Sequence, residues 1–123
     1  MARIERFEDI EAWQTARELT NMVYSASKHG AFSKDYRFCS QIQSAAVSIM
    51  SNIAEGFESQ SNKTFIRHLY QAKGSAGEVR SQLYVALDQG YVTTAQFEKL
   101  YQKAVSTSRL IAGFIAYLKS LEG

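Results

Sequence analysis

Apolar residues recur along the chain at steps of three and four positions, the period of an α-helix with one buried face. Four segments follow this pattern, and it predicts helices over residues of about 9–28, 34–55, 62–88 and 94–121. No segment alternates between apolar and polar residues over a useful length, so no sheet is predicted. The sequence contains no proline, which favours long, uninterrupted helices.

Turn and capping residues separate the four segments. Gly30 and Gly90 follow the first and third segments, where glycine readily adopts the left-handed backbone that closes a helix. Gly56 is predicted to end the second segment. Thr93, with Gln96 three residues later, fits a capping box at the start of the fourth. Because the connections are short, neighbouring helices should run antiparallel, which predicts an all-α, up-down four-helix bundle with residues 1–123 as one domain.

Two glycines lie inside the third predicted helix rather than at its end. Gly74 and Gly77 each cost up to about 1 kcal/mol relative to alanine in a helix interior, so we expect another contact to offset them. The simplest offset is a close crossing with a neighbouring helix.

The fourth predicted helix carries more apolar surface than one helix contact requires. Its apolar residues cover an arc on the order of 200°, compared with about 100° for a helix that buries one face. Val105 and Ala112 widen the arc on one side, and Phe114 and Leu121 widen it on the other. Either the core of the bundle is wide, or these flanks are buried between subunits. We favour self-association, with the residues of the two flanks at the interface.

Composition and charge narrow the classes of function only slightly. Hydrophobic residues make up 46% and charged residues 21%, which is ordinary for a globular protein. The net charge is only +2, but residues 59–123 hold eight basic and four acidic side chains. Solvated helix faces are the simpler explanation, and an anion-binding surface is the alternative. The candidate contacts to RNA or DNA are Lys63, Arg67, Lys73, Arg80, Lys99, Lys103 and Arg109.

The sequence contains no pattern typical of a catalytic or metal-binding site. Neither His29 nor His68 follows a glutamate by three residues, as a diiron bundle requires, and neither has zinc-ligand spacing. No glycine-rich phosphate-binding loop is present. The single cysteine, Cys39, excludes an intrachain disulfide, and its place after Phe38 favours a buried thiol over a nucleophile. We therefore predict no cofactor, no metal ion and no enzymatic activity.

The remaining features concern location and aromatic residues. Residues 1–6 have charges without an apolar run behind them, so a signal peptide is not expected. No apolar stretch approaches the roughly 20 residues of a membrane span, and a cytoplasmic protein with no membrane contact is predicted.

Trp13 and the seven tyrosines fall mostly on apolar stripes, which favours core or interface positions over a base-stacking platform.

One polar cluster in the second predicted helix is unusual. Ser48, Asn52 and Glu55 stand at positions i, i+4 and i+7, so they share one helix face, and Gly56 follows them directly. They could form a structural network with backbone donors of residues 59–63 or with Arg67. They could instead form a ligand or partner site. We favour the structural interpretation.

This cluster belongs to a longer set of motifs that resembles a known family. The blocks cover nearly the whole chain: FEDIEAWQ at residues 7–14, SQI at 40–42, AAVSI at 45–49, SNIAEGF at 51–57, FIR at 65–67, GSAGE at 74–78 and GY at 90–91. They resemble the four-helix-bundle family named after proteins encoded in intervening sequences of bacterial 23S ribosomal RNA genes, within which the SNIAEG block is specific.

The resemblance implies a bacterial, cytosolic bundle that assembles into a ring-shaped homopentamer. A protein of similar fold, the accessory protein of diversity-generating retroelements, binds nucleic acid and a reverse transcriptase. The chain departs from the family pattern at Gln43 and Ser44, where two arginines are usual, and at Met50, where proline is usual. The missing arginines weaken the case for phosphate binding, and the missing proline should straighten the second helix.

Two hypotheses of function follow from these patterns. The leading one is a non-catalytic, homo-oligomeric bundle that binds nucleic acid or a ribonucleoprotein partner. The alternative is a protein-interaction scaffold that does not bind nucleic acid, which Gln43 and Ser44 favour.

Overall fold

A computed structural model describes residues 4–122 of the chain. Within this part lie four α-helices and no strand: α1 at Glu11–Ser27, α2 at Tyr36–Glu58, α3 at Asn62–Asp88 and α4 at Thr94–Leu121. Their ends fall within 3 residues of those read from the sequence. Two short 3-10 helices, Phe7–Asp9 and Phe32–Lys34, precede α1 and α2 and were not predicted.

The helices pack around one apolar core. Helix α1 contacts α2 and α4, and α3 also contacts α2 and α4, so each helix has two neighbours. All four contribute side chains that are at most 1% exposed, such as Leu19, Ile42, Leu83 and Ile111. Because α4 lies against both α1 and α3, a wide core accounts for much of its broad apolar arc.

Local capping interactions begin and end the helices as the sequence indicates. Thr93 and Gln96 form the predicted capping box at the start of α4. Gly30 and Gly90 have φ values of +58° and +73°, the left-handed conformation expected of them. Gly56, however, does not end α2: it is buried inside the helix, which continues to Glu58.

The turns before α2 and α4 are joined to each other by a hydrogen bond between side chains. The Tyr91 hydroxyl donates to Oδ2 of Asp35 at 2.7 Å, and Asp35 also caps α2 by accepting from the backbone N–H of Phe38 at 3.2 Å. The Tyr91 ring stacks on Phe32 with 5.2 Å between centroids. These bonds hold the pKa of Asp35 below its usual value and raise that of Tyr91, with the Asp35–Tyr91 bond as the first cause in both.

The single thiol lies beside this joint. Cys39 is buried, as predicted, and its Sγ donates to the carbonyl oxygen of Phe32 at 3.0 Å. Burial, followed by the charge of Asp35, raises the pKa of the thiol. A raised pKa disfavours the thiolate, the form that acts as a nucleophile, so the geometry agrees with a structural thiol.

None of the helices found in residues 4–122 combines the length and the apolar character that crossing a bilayer requires.

Replacing Tyr91 by phenylalanine should change how stability depends on pH. A carboxyl group whose pKa is lowered by folding stabilises the native state above its unfolded pKa, near about 4, and loses that effect as the pH falls through the folded pKa. Tyr91→Phe should therefore be less stable than wild type at neutral pH, and the difference should shrink in acid. Urea unfolding of both proteins, followed by circular dichroism at neutral pH and at a pH below about 4, tests this. A difference in unfolding free energy that is the same at the two pH values would contradict it.

Candidate functional site

Helix α2 approaches α3 closely at Gly56, the last residue of the SNIAEG block. A Cβ atom at Gly56 would lie 2.7 Å from Cδ1 of Phe65 and 2.8 Å from Cβ of His68, distances that real Cβ atoms do not tolerate. At Gly74 and Gly77 a Cβ atom would meet no described atom within 4 Å. The prediction of a close helix crossing at these two glycines is therefore wrong. The glycine that permits the crossing is instead Gly56, which the sequence pattern had placed at a helix end.

The polar residues before Gly56 connect α2 to α3. Nδ2 of Asn52 donates to the backbone oxygen of Ser48 at 2.9 Å, and Oδ1 of Asn52 lies 3.2 Å from Nδ1 of His68. The Ser48 hydroxyl lies 3.0 Å from that of Ser75. The partners are thus His68 and Ser75, in place of the backbone of residues 59–63 or Arg67. His68 and Ser75 are seven residues apart and so share one face of α3, as Ser48 and Asn52 share one face of α2. This pair of polar faces was the signal in the sequence that could have identified the partners.

Glu55, the remaining member of the polar cluster, lies at the surface. Its side chain is exposed and forms no hydrogen bond or ion pair with any residue in 4–122. A free carboxylate next to a tightly packed glycine does not contribute to the network formed by Ser48 and Asn52. The cluster therefore divides into a structural part and an unassigned exposed acid.

A groove of about 700 Å³ runs along the outer face of α2, and we call it the α2 groove. No charged residue occurs in α2 from Ser40 to Ala54. The groove is lined largely by serines and by Gln43, and Glu55 at one end is the one charged residue among those that line it. Three large side chains stand exposed along it: Tyr36 at 80%, Val47 at 39% and Tyr24 at 37%. Depletion of charge together with exposed tyrosine is typical of the centre of a protein–protein interface.

The seven candidate cations do not form one cluster. Nζ of Lys103 is paired with Oε1 of Glu18 at 3.3 Å, and Nη2 of Arg80 donates to the hydroxyl of Tyr101 at 3.1 Å. The other five are exposed and make no ion pair within the described chain: Lys63, Arg67, Lys73, Lys99 and Arg109. The first three are on α3, whereas Lys99 and Arg109 line grooves beside α1.

Aromatic rings gather where α3 meets the start of α4. The centroid of Tyr84 lies 5.1 Å from that of Phe97 and 5.6 Å from that of Tyr101. The Arg80 guanidinium lies over the Tyr101 ring at 5.4 Å, and its hydrogen bond is the main cause of the lowered pKa of Tyr101. The sequence favoured core or interface positions for the tyrosines. The prediction of a core position is wrong for five of them, which are more than a third exposed: Tyr24, Tyr36, Tyr70, Tyr84 and Tyr117.

The residues proposed for a subunit interface differ in exposure. Val105 and Ala112 are half-buried within the chain. Phe114 is also half-buried and packs on Phe65, with 5.4 Å between ring centroids, so part of its surface belongs to the bundle itself. Leu121 is 58% exposed near the end of α4.

Within residues 4–122, no group of three or more histidine, cysteine, aspartate or glutamate side chains is placed to hold a metal ion. The candidate site is therefore a set of surfaces: the α2 groove, the flanks of α4 and the aromatic and basic face of α3 and α4.

These features define a helical-bundle protein whose α2–α3 crossing depends on an SNIAEG block. The chain belongs to the family described as 23S rRNA-intervening sequence protein, whose sequence pattern matches residues 8–113. Among curated proteins none matches the chain.

A solved structure supports the fold. A protein with unknown function of the S23 ribosomal protein family, from Bacteroides thetaiotaomicron VPI-5482, is similar to this chain with a TM-score of 0.78. The match has 24% sequence identity and covers 85% of this chain and 95% of the other. At this identity the likeness establishes a shared fold.

Gly56→Ala should destabilise the protein, whereas Gly74→Ala should not. The new Cβ at position 56 must displace Phe65 or His68, and overpacking of this kind costs about 1–3 kcal/mol. Position 74 is an exposed helix interior with free space around it, so alanine there should stabilise by about 0.5–1 kcal/mol. Urea unfolding of both variants measures the two changes, and equal effects of the same sign would refute the assigned crossing.

Proposed function

We propose that the protein is a non-catalytic, antiparallel four-helix bundle that assembles into a homo-oligomeric ring, with a pentamer as the expected size, and binds RNA or DNA in a bacterial cytoplasm. The observation that carries this proposal is the separation of charge between helices. Helices α3 and α4 hold eight basic and three acidic side chains, whereas the face of α2 from Ser40 to Ala54 holds none.

The antiparallel arrangement is supported by the order of contacts between successive helices. Along α2 and α3, Phe57 meets Phe65, Asn52 meets His68 and Ser48 meets Ser75, so earlier residues of one helix pair with later residues of the other. Along α1 and α4, Ala12 lines a groove with Phe114, Glu18 pairs with Lys103, and Ala26 lines a groove with Gln96, which is the same reversed order. Short connections between long helices favour the same arrangement.

Self-association is supported by two different patches that expose apolar and aromatic side chains and carry few charged residues. The first is the α2 groove, with Tyr24, Tyr36 and Val47 exposed on it. The second is the α4 flank that ends at Leu121, where Phe114 and Tyr117 line a further apolar groove. A head-to-tail interface requires two unlike patches on each subunit, and repeating it by rotation closes a ring. Val105 and Ala112 are the weaker candidates, because they are half-buried within the chain and line neither groove.

Nucleic-acid binding is supported by the exposed cations that have no acidic partner within the described chain. Lys63, Arg67 and Lys73 on α3 are the clearest of these, because they follow one another along a single helix. A ring would repeat each of them in every subunit, so weak contacts of one subunit would add up along a polymeric ligand. The family's description as intervening-sequence proteins of 23S rRNA agrees with a ribonucleic acid context.

Sedimentation equilibrium should give a multiple of the 13.8 kDa subunit mass at tens of micromolar protein. Val47→Glu places a charge in the α2 groove and should dissociate the assembly while circular dichroism stays helical, because burying an unpaired charge costs several kcal/mol. Val85→Glu is the matched control: its side chain is 43% exposed, against 39% for Val47, and lies on α3 outside the groove. Wild-type protein that sediments as a monomer would refute the ring.

Binding to labelled structured RNA or DNA should weaken at least about tenfold between roughly 50 and 200 mM salt, as expected when about three phosphates are contacted. Replacing Lys63 and Lys73 together by glutamine should lower the affinity and the salt slope. Replacing Lys28 and Lys34, which lie in or beside the α1–α2 connection, should change neither. Absence of salt-sensitive binding at micromolar protein would exclude this function and favour the protein-interaction scaffold.

A further inference from the structure

We propose that the face between α3 and α4 binds a single-stranded nucleic acid, with bases stacked on Tyr70 and Tyr84 and phosphates held by the cations between them. This inference rests on the nucleic-acid binding proposed above. It adds the strand state of the ligand, the position of the site and the residues that contact bases rather than phosphates.

A stripe along α3 places two basic side chains between two tyrosines. Tyr70, Lys73, Gly77, Arg80 and Tyr84 are separated by three, four, three and four residues, so they lie on one side of the helix. Tyr70 and Tyr84 are each 49% exposed, and fourteen residues of helix place them about 21 Å apart. That distance corresponds to about six nucleotides at the spacing of a stacked strand.

Both tyrosine rings are held in place by α4. Tyr84 packs against Phe97 and Tyr101, with ring centroids 5.1 and 5.6 Å away. The hydroxyl of Tyr70 accepts a hydrogen bond from Nζ of Lys119 at 2.6 Å, and Nζ lies 5.1 Å from the Tyr70 ring centroid. A ring that is already ordered loses little conformational entropy when a base stacks on it, which favours binding.

The space between the two tyrosines is open and carries positive charge. A Cβ atom at Gly77 would meet no atom of residues 4–122 within 4 Å, so nothing in the described chain fills the middle of the stripe. Lys73 and Arg80 flank that glycine on either side. The one acidic residue between the tyrosines, Glu78, accepts a hydrogen bond from Gln82 at 3.3 Å and lies off the stripe. Charge along the stripe is therefore complementary to a phosphate backbone.

A single strand fits this face better than a duplex does. Base–aromatic stacking needs the flat face of a base, which is free in a single strand and covered by neighbouring base pairs in a duplex. Three cations lie beside the two tyrosines: Arg80 and Lys119 donate hydrogen bonds to Tyr101 and Tyr70, and Lys73 is exposed with no ion pair within the described chain. Because only one of these cations is unengaged in each subunit, base stacking must supply part of the affinity here.

The test compares wild type with the double variant Tyr70→Leu/Tyr84→Leu. Fluorescence anisotropy is measured with labelled twenty-residue oligo(U) and oligo(dT), and with a blunt duplex of twenty base pairs. Leucine keeps apolar packing and removes the ring, so affinity for the single strands should fall at least about fivefold. The salt slope should stay as in wild type, because no phosphate contact is lost.

Three controls separate stacking from other effects. Tyr70→Phe/Tyr84→Phe keeps both rings and should bind nearly as wild type does. Val85→Ala shortens an exposed apolar side chain of α3 that lies off the stripe and outside both grooves, and it should have no effect. Sedimentation of every variant shows whether the assembly is unchanged, so that a lost subunit contact is not mistaken for a lost base contact.

The outcomes distinguish this inference from the proposal on which it rests. Salt-sensitive binding that is unaffected by the leucine double variant, or that is tighter for the duplex, overturns the stacking site and leaves nucleic-acid binding in place. Absence of binding to all three probes and to the labelled structured RNA overturns both. Equal loss in the leucine and phenylalanine double variants assigns the effect to the hydroxyl groups and also refutes stacking.

Discussion

The approach of α2 to α3 at Gly56 is the constraint on which the other α2–α3 contacts depend. Because position 56 has no side chain, Phe65 and His68 can lie directly against the α2 backbone. That spacing lets Asn52, one helical turn before Gly56, reach His68. It also lets Ser48, two turns before Gly56, reach Ser75. Phe65 continues the packing to Phe114 of α4. Polar and apolar contacts along the crossing thus require the same short distance between the two helices.

The sequence was informative about local structure and less informative about which residues meet. Apolar periodicity and capping residues such as Thr93 depend on neighbours within one helix, and these features agree with the structure. Gly56, Gly74 and Gly77 look alike in a sequence, because the free space around a glycine is determined by the facing helix. For the same reason the partners of Asn52 were misassigned. The candidate surfaces remain predictions: exposure of Tyr70 and Tyr84 depends on how α3 is rotated in the bundle.

The proposed surfaces for self-association and for nucleic acid use different residues of the bundle. The α2 groove combines serines, glutamine and exposed tyrosines without charge along Ser40–Ala54. The stripe on α3 combines tyrosines with lysine and arginine. Positive charge rather than apolar area distinguishes the stripe from the α2 groove, since both surfaces expose aromatic rings. A chain with this division can form contacts between subunits without covering the side chains that would face a phosphate backbone.

The hydrogen bond between Asp35 and Tyr91 has a consequence for the order of folding events. It joins residues 56 positions apart, whereas the bonds of Asn52 to His68 and of Arg80 to Tyr101 close loops of 16 and 21 residues. Closing a longer loop costs more chain entropy, so contacts of high sequence separation tend to form late. An interaction absent from the transition state slows unfolding and leaves the folding rate almost unchanged. This one bond between two turns should therefore act mainly on the lifetime of the native bundle.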